Sequence, residues 1–579
     1  MLQTINTATI LLIVFAVGIV NCADYPSELN GGSKSNPGAR LKLTQKGLDY
    51  AVEVTKDVLY EQIRTLKVKY FKKSVSTGTL ILRDLEVTKF KEPEKFDVSF
   101  VPDDSLRLVM DKADVSVKGN VEGKYKSLKA AGPATATGKD LSLDVTAKFG
   151  RESDGNPKVT ITDCKTEIGD LDADLSKLKG NGANLARTME ALVVGIAREE
   201  IELEMCRQLK QIAGTAIKET LAKYGGTFPL DDSLLKSKES KKSKEKSAPK
   251  SAEKKSKETF RDFIERRNQQ RKRGGGKSDS EEVDLLNYLS ALPDLTLKEY
   301  EIDYRLTEDP VVAKDYAETA HRAEISYKGN GGTPFYPKSI SSFSSKQTSK
   351  MIYGKFSDYV LNSFLYHGMK QDDLLVAINP NTVKESKNFL QTSCGDELCF
   401  GQVFPDEAKR YPKHDVEIQL EPTEMPLLMV KKGKIVAEIK GKVRAYAVPK
   451  WKSGDSQEED NRKRNSMLSG KAEAEGYAEL EIKGDKLYGE VTIKKLKLDI
   501  DKEEDWSNVV KLYLEGALND ELFKGIPLPT FDDMVKAKNA KLQMADSYAE
   551  IEMDVELNKS KINKIVGELI QEQIAKSSE

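Results

Sequence analysis

The sequence predicts an α+β chain in which one plan is used twice: a long helix, a run of antiparallel strands, then a second long helix. Three observations predict it. Leu48, Ala51, Val52, Thr55, Leu59, Ile63 and Leu66 recur at steps of three and four residues, the period of a helix with a narrow apolar face. Leu141, Leu143, Val145, Ala147 and Phe149 alternate with Ser142, Asp144, Thr146 and Lys148, the period of a strand with one covered face. Residues 183–223 return to the helical period, with Leu185, Met189, Leu192, Ile196, Leu203, Cys206 and Leu209 on the expected inner side.

The second half follows the same order. A helix is expected near 357–366 (Tyr359, Val360 and Phe364 apolar), then strand-forming segments at 430–448 and 480–500, then a helix over 506–523. Similarity between the halves is too weak to establish a duplication. Between them lies a different composition. Residues 236–277 hold 17 Lys/Arg against 6 Asp/Glu, a net charge of +11, with only Phe260, Phe263 and Ile264 as large apolar residues. So little apolar surface does not offset ordering entropy, so this stretch is expected to be mostly disordered, with a transient helix around 259–272. The basic run before Gly274 is an exposed place for proteolytic nicking.

The chain begins with an apolar run at residues 10–20, followed by the small polar step Asn21-Cys-Ala23. Eleven residues do not span a bilayer, so a cleaved signal peptide is expected, although Met1 to Thr9 lacks the usual Lys or Arg. Cleavage removes Cys22 and leaves four cysteines, an even number suited to two disulfides outside the cell.

Several stretches share a single resemblance. They are Leu43-Thr-Gln-Lys-Gly-Leu-Asp-Tyr-Ala51, the pair Cys164 and Cys206, Ser357-Asp-Tyr359, the run from Pro405 to Pro412, and Lys524-Gly-Ile-Pro-Leu-Pro-Thr530. Taken in order, they resemble the bactericidal/permeability-increasing, lipopolysaccharide-binding and cholesteryl-ester-transfer family of tubular lipid binders. The resemblance implies an elongated boomerang of two antiparallel β-barrels, each with long helices, joined by a central β-sheet. The expected divisions are 1–23 signal peptide, 24–37 N-terminal extension, 38–232 N-terminal lipid-binding barrel and 233–296 basic insertion. They continue with 297–340 central sheet and linker, 341–557 C-terminal barrel with strands also entering the central sheet, and 558–579 terminal amphipathic helix.

The resemblance also implies that Cys164 and Cys206 form a disulfide; closing such a loop stabilises by roughly 4 kcal/mol on the chain-entropy account. Cys394 and Cys399, five residues apart, read as a small disulfide rather than a metal site, since no His or further Cys is close in sequence.

A diacyl lipid carries about 30 methylenes, and exposing them to water costs on the order of 25 kcal/mol. A soluble carrier therefore needs an apolar chamber with polar groups at its mouth. Val52, Leu59, Ile63, Leu192, Ile196 and Leu203 are the candidates for acyl-chain contact; the alternative for each is that it fills a closed core. Catalysis finds little support. His321, His367 and His414 are widely separated, and no metalloprotease, nucleophile-elbow or phosphate-loop motif occurs. The chain is read as a non-enzyme without cofactor.

Lys118, Lys124, Lys126 and Lys129 lie in the stretch that corresponds to the family's basic tip and are the candidates for head-group or membrane contact. Val121 stands where the family often has Trp, and Glu122 adds an acid. The expected function is secretion, phospholipid binding and phospholipid transfer. Binding of bacterial lipopolysaccharide is the alternative, and a third reading is an extracellular module. In that reading the +11 segment meets polyanions such as anionic membranes or glycosaminoglycans. Nucleic acid is not an expected partner of a secreted chain. The tail carries Ile562, Ile565, Val566, Leu569, Ile570 and Ile574 at helical spacing, and Asn558-Lys-Ser560 is the chain's one glycosylation sequon.

Overall fold

A computed structural model describes residues 25–75, 78–188, 190–212, 214, 226–230, 297–380, 387–395, 399–450, 464–500, 505–528 and 534–577. The expected signal peptide and the +11 segment lie outside the described residues. The chain divides into two compact units. The first contains residues 29–230, 299–364 and 530–579; the second contains 1–28, 231–298 and 365–529. Both are α+β, as the sequence predicts.

The first unit begins with the strand Ala39–Thr44, which runs directly into the helix Gln45–Arg64. Thr44 caps that helix by accepting a hydrogen bond from Gly47 N, while its hydroxyl donates to Lys350 O at 2.7 Å. A Cβ at position 47 would stand 2.7 Å from Met351 O, so this helical turn can approach the backbone before the strand Ile352–Ser357 only with glycine. Leu43 and Leu48 meet in a cluster with Phe100 and Val312. The Leu43–Ala51 motif is thus a strand-to-helix joint in which cap, glycine and apolar anchors each have a separate physical task.

The expected apolar face of this helix is shifted. Val54, Val58 and Tyr60 are buried, Tyr60 with its ring 5.5 Å from Phe90, whereas Leu59 and Ile63 are half-buried and Thr55 is exposed. The terminal helix Lys559–Ser577 docks on the same helix through polar groups. Lys559 Nζ is 3.0 Å from Asp57, and Gln62 donates to Asn563 at 2.7 Å.

A six-stranded sheet collects strands from distant parts of the chain in the order Val311–Val312, Tyr316–His321, Ala39–Thr44, Ile352–Ser357, Tyr548–Leu557 and Val535–Ala545. An irregular segment, residues 333–350, crosses it and is held by cations rather than by strand pairing. Arg40 Nε donates to Ile340 O at 2.9 Å, Lys42 Nζ to Ser344 O at 2.8 Å, and Lys355 Nζ to Ser341 O at 2.9 Å. Lys42 is fully buried, 4.0 Å over the Tyr316 ring; burial pushes its ammonium below the usual lysine range, against the attraction of Glu318.

A second sheet of this unit has the order Lys67–Val75, Gly78–Lys91, Ser105–Tyr125, Leu128–Arg151, Pro157–Asp174, with Lys95–Val101 added beside Ser105–Tyr125. The helical spans Ala183–Thr188 and Glu190–Ile212 follow in the region expected to be helical.

The second unit holds a seven-stranded sheet. Here the segments 430–448 and 480–500 each contain a turn: strands Leu427–Lys431 and Lys434–Val448 turn at Gly433 (φ +80°), and Asn465–Lys483 and Lys486–Asp499 at Gly484 (φ +68°). Phe389, Phe400, Val416, Val443 and Leu498 form its core with Val510 of the helix Asp505–Lys524. Gly525, at φ +80°, ends that helix, and Ile526–Pro527 pairs with Lys486 and Leu487.

Two predictions follow from the first unit's interior. Lys42→Met removes a buried cation and leaves Ser344 O and Glu318 without it, so urea unfolding should show a loss of about 3 kcal/mol; a loss below about 1 kcal/mol would mean the cation row is dispensable. His321 is buried, its Nδ1 2.6 Å from Tyr304 O and its Nε2 2.8 Å from Thr319 Oγ1, and burial lowers its pKa from 6.5. The unfolded chain therefore binds the proton more readily than the fold. This contribution is intact above the unfolded pKa and is lost as pH falls through it toward the lower folded value. His321→Gln should accordingly flatten the dependence of urea stability on pH between about pH 7 and 5; an unchanged slope would exclude His321 as its source.

Candidate lipid-binding site

In the first unit the strand Pro157–Asp174 ends the sheet, and the helix Glu190–Ile212 runs antiparallel along it. One line of residues four apart makes the joint. Cys206 is disulfide-bonded to Cys164 with a Cα–Cα distance of 5.8 Å. Glu202 O accepts from Thr166 Oγ1 at 2.6 Å, and Glu202 Oε1 accepts from Ile168 N at 2.8 Å. Arg198 donates to Gly169 O at 3.3 Å and lies 3.3 Å from Glu202. Spacing of four keeps these groups on one side of the helix.

The next stripe of the helix, Ile201, Met205 and Leu209, is also spaced by four. With Leu143 from the neighbouring strand it bounds a groove of about 350 Å³, a size within the range of about 300–1,000 Å³ typical of small-molecule pockets. Glu204 and Gln208 stand at its margin, Gln208 Nε2 donating to Glu204 Oε1 at 2.7 Å while Arg207 Nε donates to Glu204 Oε2 at 2.9 Å. Apolar walls with a tied polar margin suit a chain of methylenes whose polar end stays near water.

The expected acyl contacts are distributed unevenly. Val52 is half-buried and packs against the Leu48, Phe100 and Val312 cluster, so it serves a core. Leu59 and Ile63 form a half-covered apolar stripe. The side chains of Leu192 and Ile196 lie outside the described residues. Leu203 is a correction: it is 71% exposed. Helical geometry explains this, because Leu203 and Leu209 project on opposite flanks of Cys206, and the groove is on the Leu209 side. Met205 and Ile201, the latter 41% exposed, line the groove and are not among the expected contacts. Counting back by four from Leu209, with Cys206 held at the strand, would have found them.

The basic hairpin joins Ser105–Tyr125 to Leu128–Arg151, with Lys126 in the turn at φ +51°. Lys124 and Lys129 are directly opposite one another and exposed, an unfavourable like-charge pairing that concentrates positive potential. Asn181 holds the hairpin: its Oδ1 accepts from Lys129 N at 2.8 Å and its Nδ2 donates to Ser127 O at 3.3 Å. Lys118 differs. Its Nζ is 3.1 Å from Glu86, which also holds Lys67 at 2.8 Å, and hydrogen bonds from both lysines lower the Glu86 pKa. Val121 packs with Leu175, Leu178 and Ala183 in a small cluster.

Cys394 and Cys399 are joined in the second unit, beside the fully buried Phe400. Asn558 is exposed and caps the terminal helix, its Oδ1 accepting from Lys561 N at 3.3 Å. His321 and His367 are buried in the first and second units, and His414 stacks edge-on with Tyr411. Among the described residues no group of three or more His, Cys, Asp or Glu has the placement to hold a metal ion. No helix among them is long and apolar enough to cross a membrane.

The sequence matches the LBP / BPI / CETP family, N-terminal domain, over residues 47–216 and the LBP / BPI / CETP family, C-terminal domain, over residues 296–557. The bactericidal permeability-increasing protein of Sebastes schlegelii is 21% identical over 539 residues, 90% of this chain and 95% of its own. The lipopolysaccharide-binding protein of Homo sapiens is 21% identical over 408 residues, 69% of each chain. The crystal structure of lipopolysaccharide binding protein aligns over 90% of this chain and 99% of its own, at 16% identity and a TM-score of 0.41. With both domain types matched in order along one polypeptide, this chain is a member of the LBP / BPI / CETP family.

Proposed function

We propose that this protein is a secreted, non-enzymatic lipid binder that holds phospholipid acyl chains between helix and sheet and transfers the lipid between membranes or particles. The observation that supports this reading best is the groove bounded by Leu143, Ile201, Met205 and Leu209, apolar along its length and polar at its margin. Leu59 and Ile63 add a half-covered apolar stripe on the first helix, which an acyl chain would shield from water. Burial of methylenes drives uptake, at about 0.8 kcal/mol each.

The test compares two charges placed on one helix. Met205→Glu should lower co-purified and transferred fluorescent phospholipid by roughly tenfold or more, since a carboxylate in apolar surroundings costs several kcal/mol. Leu203→Glu, on the exposed flank, should leave both unchanged. Equal behaviour of the two variants, with both folded by circular dichroism, would remove the groove from the binding site.

A second reading, binding of bacterial lipopolysaccharide, is favoured by the Lys124–Lys129 pair with Lys126 at the hairpin turn, and by the names of the two relatives. The double variant Lys124→Glu/Lys129→Glu should weaken capture of lipopolysaccharide by about tenfold or more in low salt, with a smaller difference in high salt as the charges are screened. Undiminished capture at low salt would dismiss the hairpin as the contact.

A further inference from the structure

The second sheet of the first unit carries a cleft of about 450 Å³ that neither the groove nor the hairpin turn accounts for. Two close approaches build it. On one side Asp84 and Leu85 of the strand Gly78–Lys91 oppose the single Gly119, a bulge in which Asp84 takes φ +53°. A Cβ at position 119 would stand 2.6 Å from Leu85 Cδ2 and 2.9 Å from Arg83 O, so the bulge seats only on glycine. On the other side the turn after Asp174 lies against Gly132, where a Cβ would stand 2.7 Å from Lys177 O. The floor between them is made by Gly119, Pro133 and Ala134, without a large side chain.

Strand register sets polar groups around this floor. Glu86, Lys118, Thr135 and Asp174 stand directly opposite one another on four neighbouring strands and so share one face of the sheet. Asn120, two residues from Lys118, is on that face too. Glu86 is taken by Lys118 and Lys67, and Asp174 accepts from Ser176 N at 2.9 Å. The Asp84 carboxylate, the Asn120 amide and the Thr135 hydroxyl have no protein partner among the described residues. An acceptor, an amide and a hydroxyl, each with its bonding capacity unused, thus border one small-residue floor. The lining as a whole carries three carboxylates against two ammonium groups. A ligand anion would meet the carboxylates, and a ligand cation would meet the ammoniums. Hydroxyl groups both donate and accept, so a polyhydroxyl ligand satisfies every group present.

We propose that this cleft binds a neutral glycan, its hydroxyls on Asp84, Asn120, Thr135 and Lys177 and a C–H face on Gly119, Pro133 and Ala134. The site shares no residue with the groove or with the Lys124–Lys129 pair, so it is independent of both lipid readings.

The test presents the full chain to an immobilised set of neutral, anionic and amine-bearing oligosaccharides at physiological salt. Neutral members should be retained. The variant Asp84→Gly/Asn120→Ala should lower that retention by about tenfold or more, the equivalent of one hydrogen bond to a charged group. Both side chains are exposed, and glycine keeps the φ of position 84 without the carboxylate, so circular dichroism should be unchanged. Met205→Glu should leave glycan retention intact even where it empties the groove, so failure of one site is distinguishable from failure of the other. Contact through the basic hairpin would favour the anionic members instead, and Lys124→Glu/Lys129→Glu would abolish it. Retention of anionic members only, retention of none, or undiminished retention by the Asp84→Gly/Asn120→Ala variant would overturn the proposal.

Discussion

A sheet edge covered by a helix must still satisfy its backbone donors, and both units meet this constraint in the same way. In the first, Ile168 N finds Glu202 Oε1. In the second, Val491 N, Ile493 N and Leu498 N find Asn519, Glu515 and Ser507 at 2.6, 2.6 and 3.0 Å. Each helix runs antiparallel to its strand, and its side chains do what a further strand's carbonyls would do. A helix attached in this way stands a side chain's length from the sheet. The space beside the line of attachment is where the Ile201–Met205–Leu209 stripe meets Leu143. Groove and edge closure are therefore one structural solution, and a further strand in place of the helix would have removed both.

The same requirement governs the segment 333–350 in the first unit. Its carbonyls at Ile340, Ser341 and Ser344 have cationic donors, Arg40, Lys355 and Lys42, instead of a ladder. Charge-assisted hydrogen bonds are stronger than neutral ones, but a buried ammonium carries a desolvation cost. Here Glu318, 3.0 Å from Arg40, and the Tyr316 ring under Lys42 offset part of it. Arg40, Lys42 and Thr44 alternate along one strand, so one face of six residues anchors the crossing segment and the start of the first helix together.

Much of this was legible in the residues. Periods of 2 and 3.6 marked strands and helices because burial of one face imposes them locally, and two disulfides were evident from cysteine number and context. The faces were less legible. The helical period places Leu203 on the inner side, whereas the attachment at Cys206 fixes the rotation of the helix so that Leu203 meets solvent and Met205 meets the groove. On the first helix, Val54 and Val58 are buried in place of Thr55 because packing of Tyr60 on Phe90 and Phe96 sets the rotation. Lys118 looked equivalent to Lys124 and Lys129, but strand register places it beside Glu86.

By itself the sequence determined the α+β class, the two-part order of elements, the family and the chemistry of a lipid binder, since each rests on local periodicity, composition or motifs read in order. Tertiary structure alone decided which helix stripe faces the groove, that Lys118 is paired with Glu86, and that residues 25–28 and 423–440 border one charged cleft. Those outcomes depend on strand register, on helix rotation about a few attachment points, and on contacts hundreds of residues apart. A one-dimensional pattern records which side chains are apolar or charged; the direction each one points is set by what the rest of the chain places against it.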